Sequence, residues 1–183
     1  MSTTSSRFEA YLNEVLSNQE KMLIDKTHFV FSIFDETSGP EILYNDSLLD
    51  HQALLHLNLK MFSFLMGGVD YGPANTAKIR GIVQIPQTSN YALAIDLLVN
   101  KKNPIDNEIL KVPLVVFLIF PEIYMSFYAM ISKELEDYFY RNFRKGLSKI
   151  PSKQIIRALI NKVKLQLVFF LNRKNIDIEG FFE

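Results

Sequence analysis

The chain has 183 residues, the size of a single domain, and its 48% hydrophobic against 22% charged content supplies enough apolar surface to offset chain entropy, which excludes a globally disordered protein. It has no cysteine, and this removes disulfide frameworks, thiolate zinc sites and thiol nucleophiles together. The 20 basic and 20 acidic residues cancel, but unevenly: residues 141–174 hold ten basic residues and no acidic one, so the remainder is net negative by ten, a polarity that orients a molecule toward an acidic partner or an anionic surface.

The first six residues are small and polar, without the basic start and apolar run of a secretory signal, so the cytoplasm is the expected location. Ser6 and Glu9 have the spacing of a capping box, and Phe8, Tyr11, Leu12, Val15 and Leu16 follow with helical period, which predicts an amphipathic helix within a capping segment, residues 1–26. Its polar face carries Glu9, Glu14 and Glu20 in place of a basic row, so it is expected to cover the main domain and not to lie on a membrane. Residues 27–35 (THFVFSIFD) alternate as a strand. A turn through Gly39 and Pro40 then leads into a short second strand at 42–44.

Leucines and aromatics between 49 and 66 are dense enough to predict a helix buried on more than one side, closed by Gly67 and Gly68 and followed by an exposed loop at 70–76. Residues 78–85 and 91–99 read as an antiparallel hairpin, and 100–107 (NKKNPIDN) as a polar loop. The continuous apolar run 114–120 predicts a central strand buried on both faces. Residues 112–131 are long enough to suggest a membrane span, but Pro113, Pro121 and Glu122 argue for a strand followed by a helix running to 143. A last helix at 152–172 carries the stripe Ile156, Leu159, Ile160, Val163, Leu167, Phe170 and Leu171, flanked by Lys153, Arg157 and Lys164. Leu165, Val168 and Phe169 point away from that stripe, so the end of this helix needs a further cover and is the expected partner-binding surface. The expected class is α+β, an antiparallel sheet of five strands in the chain order β-β-α-β-β-β-α-α after an extra first helix.

That order, together with the segment FVFSIFDETSGPEILYN at 29–45, resembles the longin domain, a relative of roadblock domains in the profilin-like class. The resemblance spans residues 27–175 and leaves 176–183 as a tail. It implies a non-catalytic adaptor that binds a small GTPase or another longin or roadblock unit, a homodimer being one form of such pairing, in vesicle trafficking or GTPase regulation. Longin SNAREs continue into a heptad helix and an anchor, which this sequence lacks, so a SNARE is not expected.

Candidate chemistry weighs against an enzyme. His51 and His56 lie on different helix faces and His28 in a strand, so no metal site is expected. Gly67, Gly68 and Gly72 follow a helix and precede a strand, the reverse of a phosphate-binding loop, and no cofactor is expected. Glu134, Glu136 and Asp137 read as a solvated face that could also hold a cation or basic partner. Asp96, in the apolar strand YALAIDLLV, faces outward by alternation or, if buried, marks a pocket with a raised pKa. The basic C-terminal region is a solvated face, a dock for an acidic protein or a site for anionic lipid. Nucleic acid is not expected, because the aromatics sit on the apolar stripe and not between the basic residues. Two further readings stay open: a ligand-sensing or catalytic domain with its pocket near Asp96 or 70–76, and a peripheral membrane-binding module.

Overall fold

The computed structural model describes residues 15–35, 39–66, 78–102, 107–143 and 149–174, with the backbone alone at 35, 64–66, 78 and 79. The elements are α1 (Asn18–Lys26), β1 (His28–Asp35), β2 (Gly39–Asn45), α2 (His51–Met66), β3 (Lys78–Gln84), β4 (Asn90–Lys102), β5 (Ile109–Pro121), a 3-10 turn (Glu122–Tyr124), α3 (Met125–Phe143) and α4 (Lys153–Lys174). They form an α+β fold around one open sheet of five antiparallel strands in the order β2-β1-β5-β4-β3.

Strand β5 takes the centre because its side chains have no other place to go. Residues 114–120 are apolar throughout and none is more than 2% exposed. Alternation sends Leu114, Val116, Leu118 and Phe120 to one face, where they join Phe29, Phe31, Ile33, Leu93 and Ile95 under α3 and α4. Val115, Phe117 and Ile119 go to the other, where Ala92 and Ala94 provide a shallow floor for Leu54, Leu57, Met61 and Phe62 of α2.

Pro121 ends the strand and caps the 3-10 turn that leads into α3. The helix buries Phe127, Tyr128, Ile131, Leu135, Phe139 and Phe143 along one stripe. Tyr128 stacks on Phe120 with ring centroids 3.9 Å apart and shares a 2.7 Å hydrogen bond with the Thr27 hydroxyl, while burial pushes its phenol well above the ordinary value. The apolar window at 112–131 is thus a strand end, a turn and a helix start. Among the described residues, no helix is long and apolar enough to cross a membrane.

Three elements differ from the sequence expectation. Most of the helix expected after Ser6 lies outside the described residues. Its last positions diverge, with Val15 59% exposed and Leu16 packed on Ile24 and Val168. A distinct helix follows under a second S-x-x-E box, in which Ser17 Oγ accepts the Glu20 N–H at 3.3 Å and the Glu20 carboxylate accepts the Ser17 N–H. Helix α2 buries one stripe and leaves Leu55 and Leu59 exposed at 38% and 45%, so over its described side chains it is covered on one side only. Residues 100–102, read as loop, instead extend β4, because Asn100, Lys101 and Lys102 pair with Lys111, Leu110 and Ile109. Gly39 has the positive φ expected of it, +79°, but Gly39 and Pro40 already pair with Asp35 and Phe34, so β2 starts at 39 and not at 42, and residues 36–38 between the strands lie outside the described residues. The glycine cap at 67 and 68, the loop at 70–76 and the tail at 176–183 lie outside the described residues.

Glu20 fastens α1 to the end of α4 through a 2.7 Å hydrogen bond from the Asn172 amide. Burial alone would raise its pKa, but the hydrogen bonds from Asn172 and Ser17 outweigh burial and hold the carboxyl below its ordinary 4.5. A carboxyl with a depressed folded-state pKa contributes stability that is complete above about 4.5 and is lost as pH falls through the lower folded value. Urea unfolding of wild type and Glu20→Gln between pH 2 and 7 should show the wild-type advantage at neutral pH vanishing at the acidic end.

Candidate interaction surface

The stripe expected on α4 is buried in full: Ile156, Leu159, Ile160, Val163, Leu167, Phe170 and Leu171 all face the sheet or α3. Val168 is buried as well, at 7% exposure, against Ile24 of α1 and Leu16. This corrects its assignment as a partner-binding residue, since part of the cover demanded by the helix end comes from the chain itself. Leu165 and Phe169 remain exposed at 42% and 55%, one turn apart on the outer face.

The basic positions separate along the helix. Lys153 and Arg157 are exposed near its start, and Arg157 lies against the Tyr44 hydroxyl of β2. Lys164 is half-buried beside Leu165. Arg157 and Leu165 are separated along the axis by about 12 Å at ~1.5 Å per residue. Leu165 and Phe169 thus form one exposed patch, Lys164 lies about 100° round the helix from Leu165 on the side of the buried Val168, and Lys153 and Arg157 stand apart near the helix start.

Phe169 also borders an open groove of about 400 Å³ between α3 and α4, with Glu134, Asp137, Arg141, Gln166 and Arg173. Lys174 meets Glu134 at 2.7 Å across the end of this groove and draws its carboxyl below the ordinary range. Lys133 meets Glu136 at 3.0 Å and Asp137 at 3.9 Å. The acidic cluster of α3 is thus paired with lysines of the same chain.

Asp96 departs from the outward orientation. It does take the opposite parity from Leu97, but that face of the sheet is also covered, and Asp96 is 1% exposed. A bulge in β3 between Ile79 and Gly81, with Gly81 at φ +120°, offsets Arg80 from the regular register. Its guanidinium holds the carboxylate with both arms, at 2.6 and 2.7 Å. The carboxylate is therefore taken up by a fixed internal cation, and it lines neither the groove at Phe169 nor the larger cleft beside His28. Arg80→Met leaves this carboxylate buried without its counter-charge and should cost about 3–5 kcal/mol in denaturant unfolding, the range for breaking a buried pair.

The larger cleft lies at the opposite end of the sheet from the end of β1, with a volume of about 560 Å³. Its walls include Lys26, His28, Leu49, Asp50, Asn90 and Tyr124. Tyr124 is fully buried, and its hydroxyl meets no hydrogen-bond partner among the described residues. His51 and His56 stand exposed on α2, away from one another, and among the described residues no three His, Asp or Glu side chains group as metal ligands. Sequence reasoning missed the Leu55 and Leu59 pair, the cleft, and the Arg80 partner of Asp96. For Leu55 and Leu59 the signal was present, since four-residue spacing puts them on one face. The cleft joins segments far apart in the chain and leaves no local pattern. No protein-family model and no curated protein matches the chain.

Proposed function

We propose that the chain is a longin-like interaction module that docks a small GTPase, or a second longin or roadblock subunit, in membrane trafficking or GTPase regulation. The observation that carries the reading is the exposed pair Leu165 and Phe169 on a helix whose other large apolar side chains, Ile155 apart, are covered. Two large apolar groups one turn apart, one of them bordering an open groove with Glu134, Asp137, Arg141 and Arg173, have the form of an interface core with a charged rim. The β-β-α-β-β-β-α-α succession after α1 supports the longin-like assignment. Titration against small GTPases in both nucleotide states, and against longin and roadblock subunits, tests it. Leu165→Asp with Phe169→Asp should weaken binding more than tenfold while leaving thermal unfolding within a few degrees of wild type. Failure to bind any of these partners, with a monomer in solution, overturns it.

The cleft favours a second reading, in which the domain senses a small ligand. Its volume lies in the range of small-molecule sites, and Lys26, His28, Asp50 and Asn90 set polar groups along its otherwise apolar wall. A thermal-shift screen of metabolites should then yield a stabilising compound, and Ala53→Trp, which fills the cleft wall, should abolish the shift without lowering the melting temperature of the free protein. At 100 times its dissociation constant a ligand adds about 2.7 kcal/mol.

A further inference from the structure

The charge of the chain reverses at the end of α4. Residues 141–174 hold no acidic residue, whereas 175–183 (NIDIEGFFE) hold Asp177, Glu179 and Glu183 and no basic one, with Ile176, Ile178, Phe181 and Phe182 among them. This segment lies outside the described residues. Its large apolar side chains gain by being covered, and its carboxylates admit only a surface with spare positive charge.

The groove between α3 and α4 offers both. Its carboxylates are taken up within the chain, Glu134 by Lys174 at 2.7 Å and Asp137 by Lys133 at 3.9 Å. Its guanidinium groups are left over. Arg141 of α3 is exposed and meets no carboxylate among the described residues, and Arg173 of α4, also exposed, acts on Glu134 only as a weaker neighbour of Lys174. Phe169, 55% exposed, and the half-buried Tyr138 supply apolar wall. Helix α4 ends at Lys174, whose ammonium sits on the Glu134 carboxylate of this groove, so residue 175 starts at its mouth. From Arg173 back to Gln166 the groove runs about 10 Å along α4 at ~1.5 Å per residue, and residues 175–183 can span about 30 Å at ~3.3 Å each, enough to turn and lie along it.

We propose that residues 175–183 turn back at Lys174 and dock in the α3–α4 groove of the same chain, with their aromatic pair against Phe169 and their carboxylates on Arg141 and Arg173. An acidic surface from outside would find the same cations, but it would compete with a segment tethered at the mouth of the groove, whose effective concentration is on the order of millimolar. The docking holds whether or not α4 takes an outside partner. Where a partner does use Phe169 it has to displace the tail, a consequence that rests on α4 being a docking surface.

The chain has no tryptophan, so Phe181→Trp places a single reporter in the whole chain. At concentrations where the protein is a monomer, its emission should lie to the blue of a solvent-exposed tryptophan and resist acrylamide quenching. Arg141→Gln with Arg173→Gln, both at exposed positions, should move the emission to the red while circular dichroism stays as in wild type. A fluorescent synthetic peptide of residues 175–183 gives a readout that stands even if the arginine variant fails to fold. It should bind the whole chain carrying Phe181→Ser and Phe182→Ser at least roughly tenfold more tightly than wild type, where the tethered tail already fills the groove. Adding the two arginine substitutions should then weaken peptide binding between about twofold and 25-fold, the range for losing two exposed ion pairs. An emission at the solvent-exposed position, an emission unchanged in the folded arginine variant, or equal or absent peptide binding in wild type and the serine variant overturns the proposal. So does a blue shift that appears only as the protein dimerises, which would assign the groove to the tail of a second copy.

Discussion

Everything in this molecule is arranged around a strand that meets no solvent along its middle. A backbone can be buried this completely only if its N–H and C=O groups are all taken up, and β5 achieves that by pairing with β1 on one edge and β4 on the other. Its side chains then leave two apolar faces, each of which needs its own cover. Helix α2 closes one, and α3 with α4 closes the other.

The polar groups inside this frame sit where elements join. The Thr27 and Tyr128 hydroxyls tie the end of α1 to α3, Asn172 ties Glu20 to α4, and Arg80 closes the edge of the sheet onto Asp96. The first two pairs link segments far apart in the chain and help fix how the layers are set against one another, whereas the third pins neighbouring strands of one sheet. The charge imbalance of the C-terminal third is not uniform in space: Lys174 is paired with Glu134 at one end of α4, while Lys149, ahead of its other end, bridges to Asn100 of β4.

Much of this was legible in the residues because burial writes periodicity. The run at 114–120, the alternation at 27–35 and the stripe on α4 each follow from one local rule, and each element stands where that rule puts it. What escaped was set by partners. Asp96 obeyed its alternation, but nothing local says that both faces of a sheet are covered or that Arg80, sixteen positions earlier, supplies a cation. Asn100 to Lys102 are weak strand formers that become strand because β5 pairs with them. Val168 could not be told from Leu165 and Phe169 by sequence, since only the presence of α1 separates them. The second capping box at Ser17 and Glu20 was readable, and was overshadowed by the first.

The sheet order also dictates how the protein comes into being. Strand β1 rests against β5, about 90 positions later, so the first hairpin has no lasting neighbour until most of the chain has left the ribosome. Such distant pairing slows folding and leaves an apolar strand edge uncovered in the meantime. The nascent chain should therefore lean on chaperones until β5 emerges, and a synonymous change that slows translation just before residue 109 would lengthen that dependence.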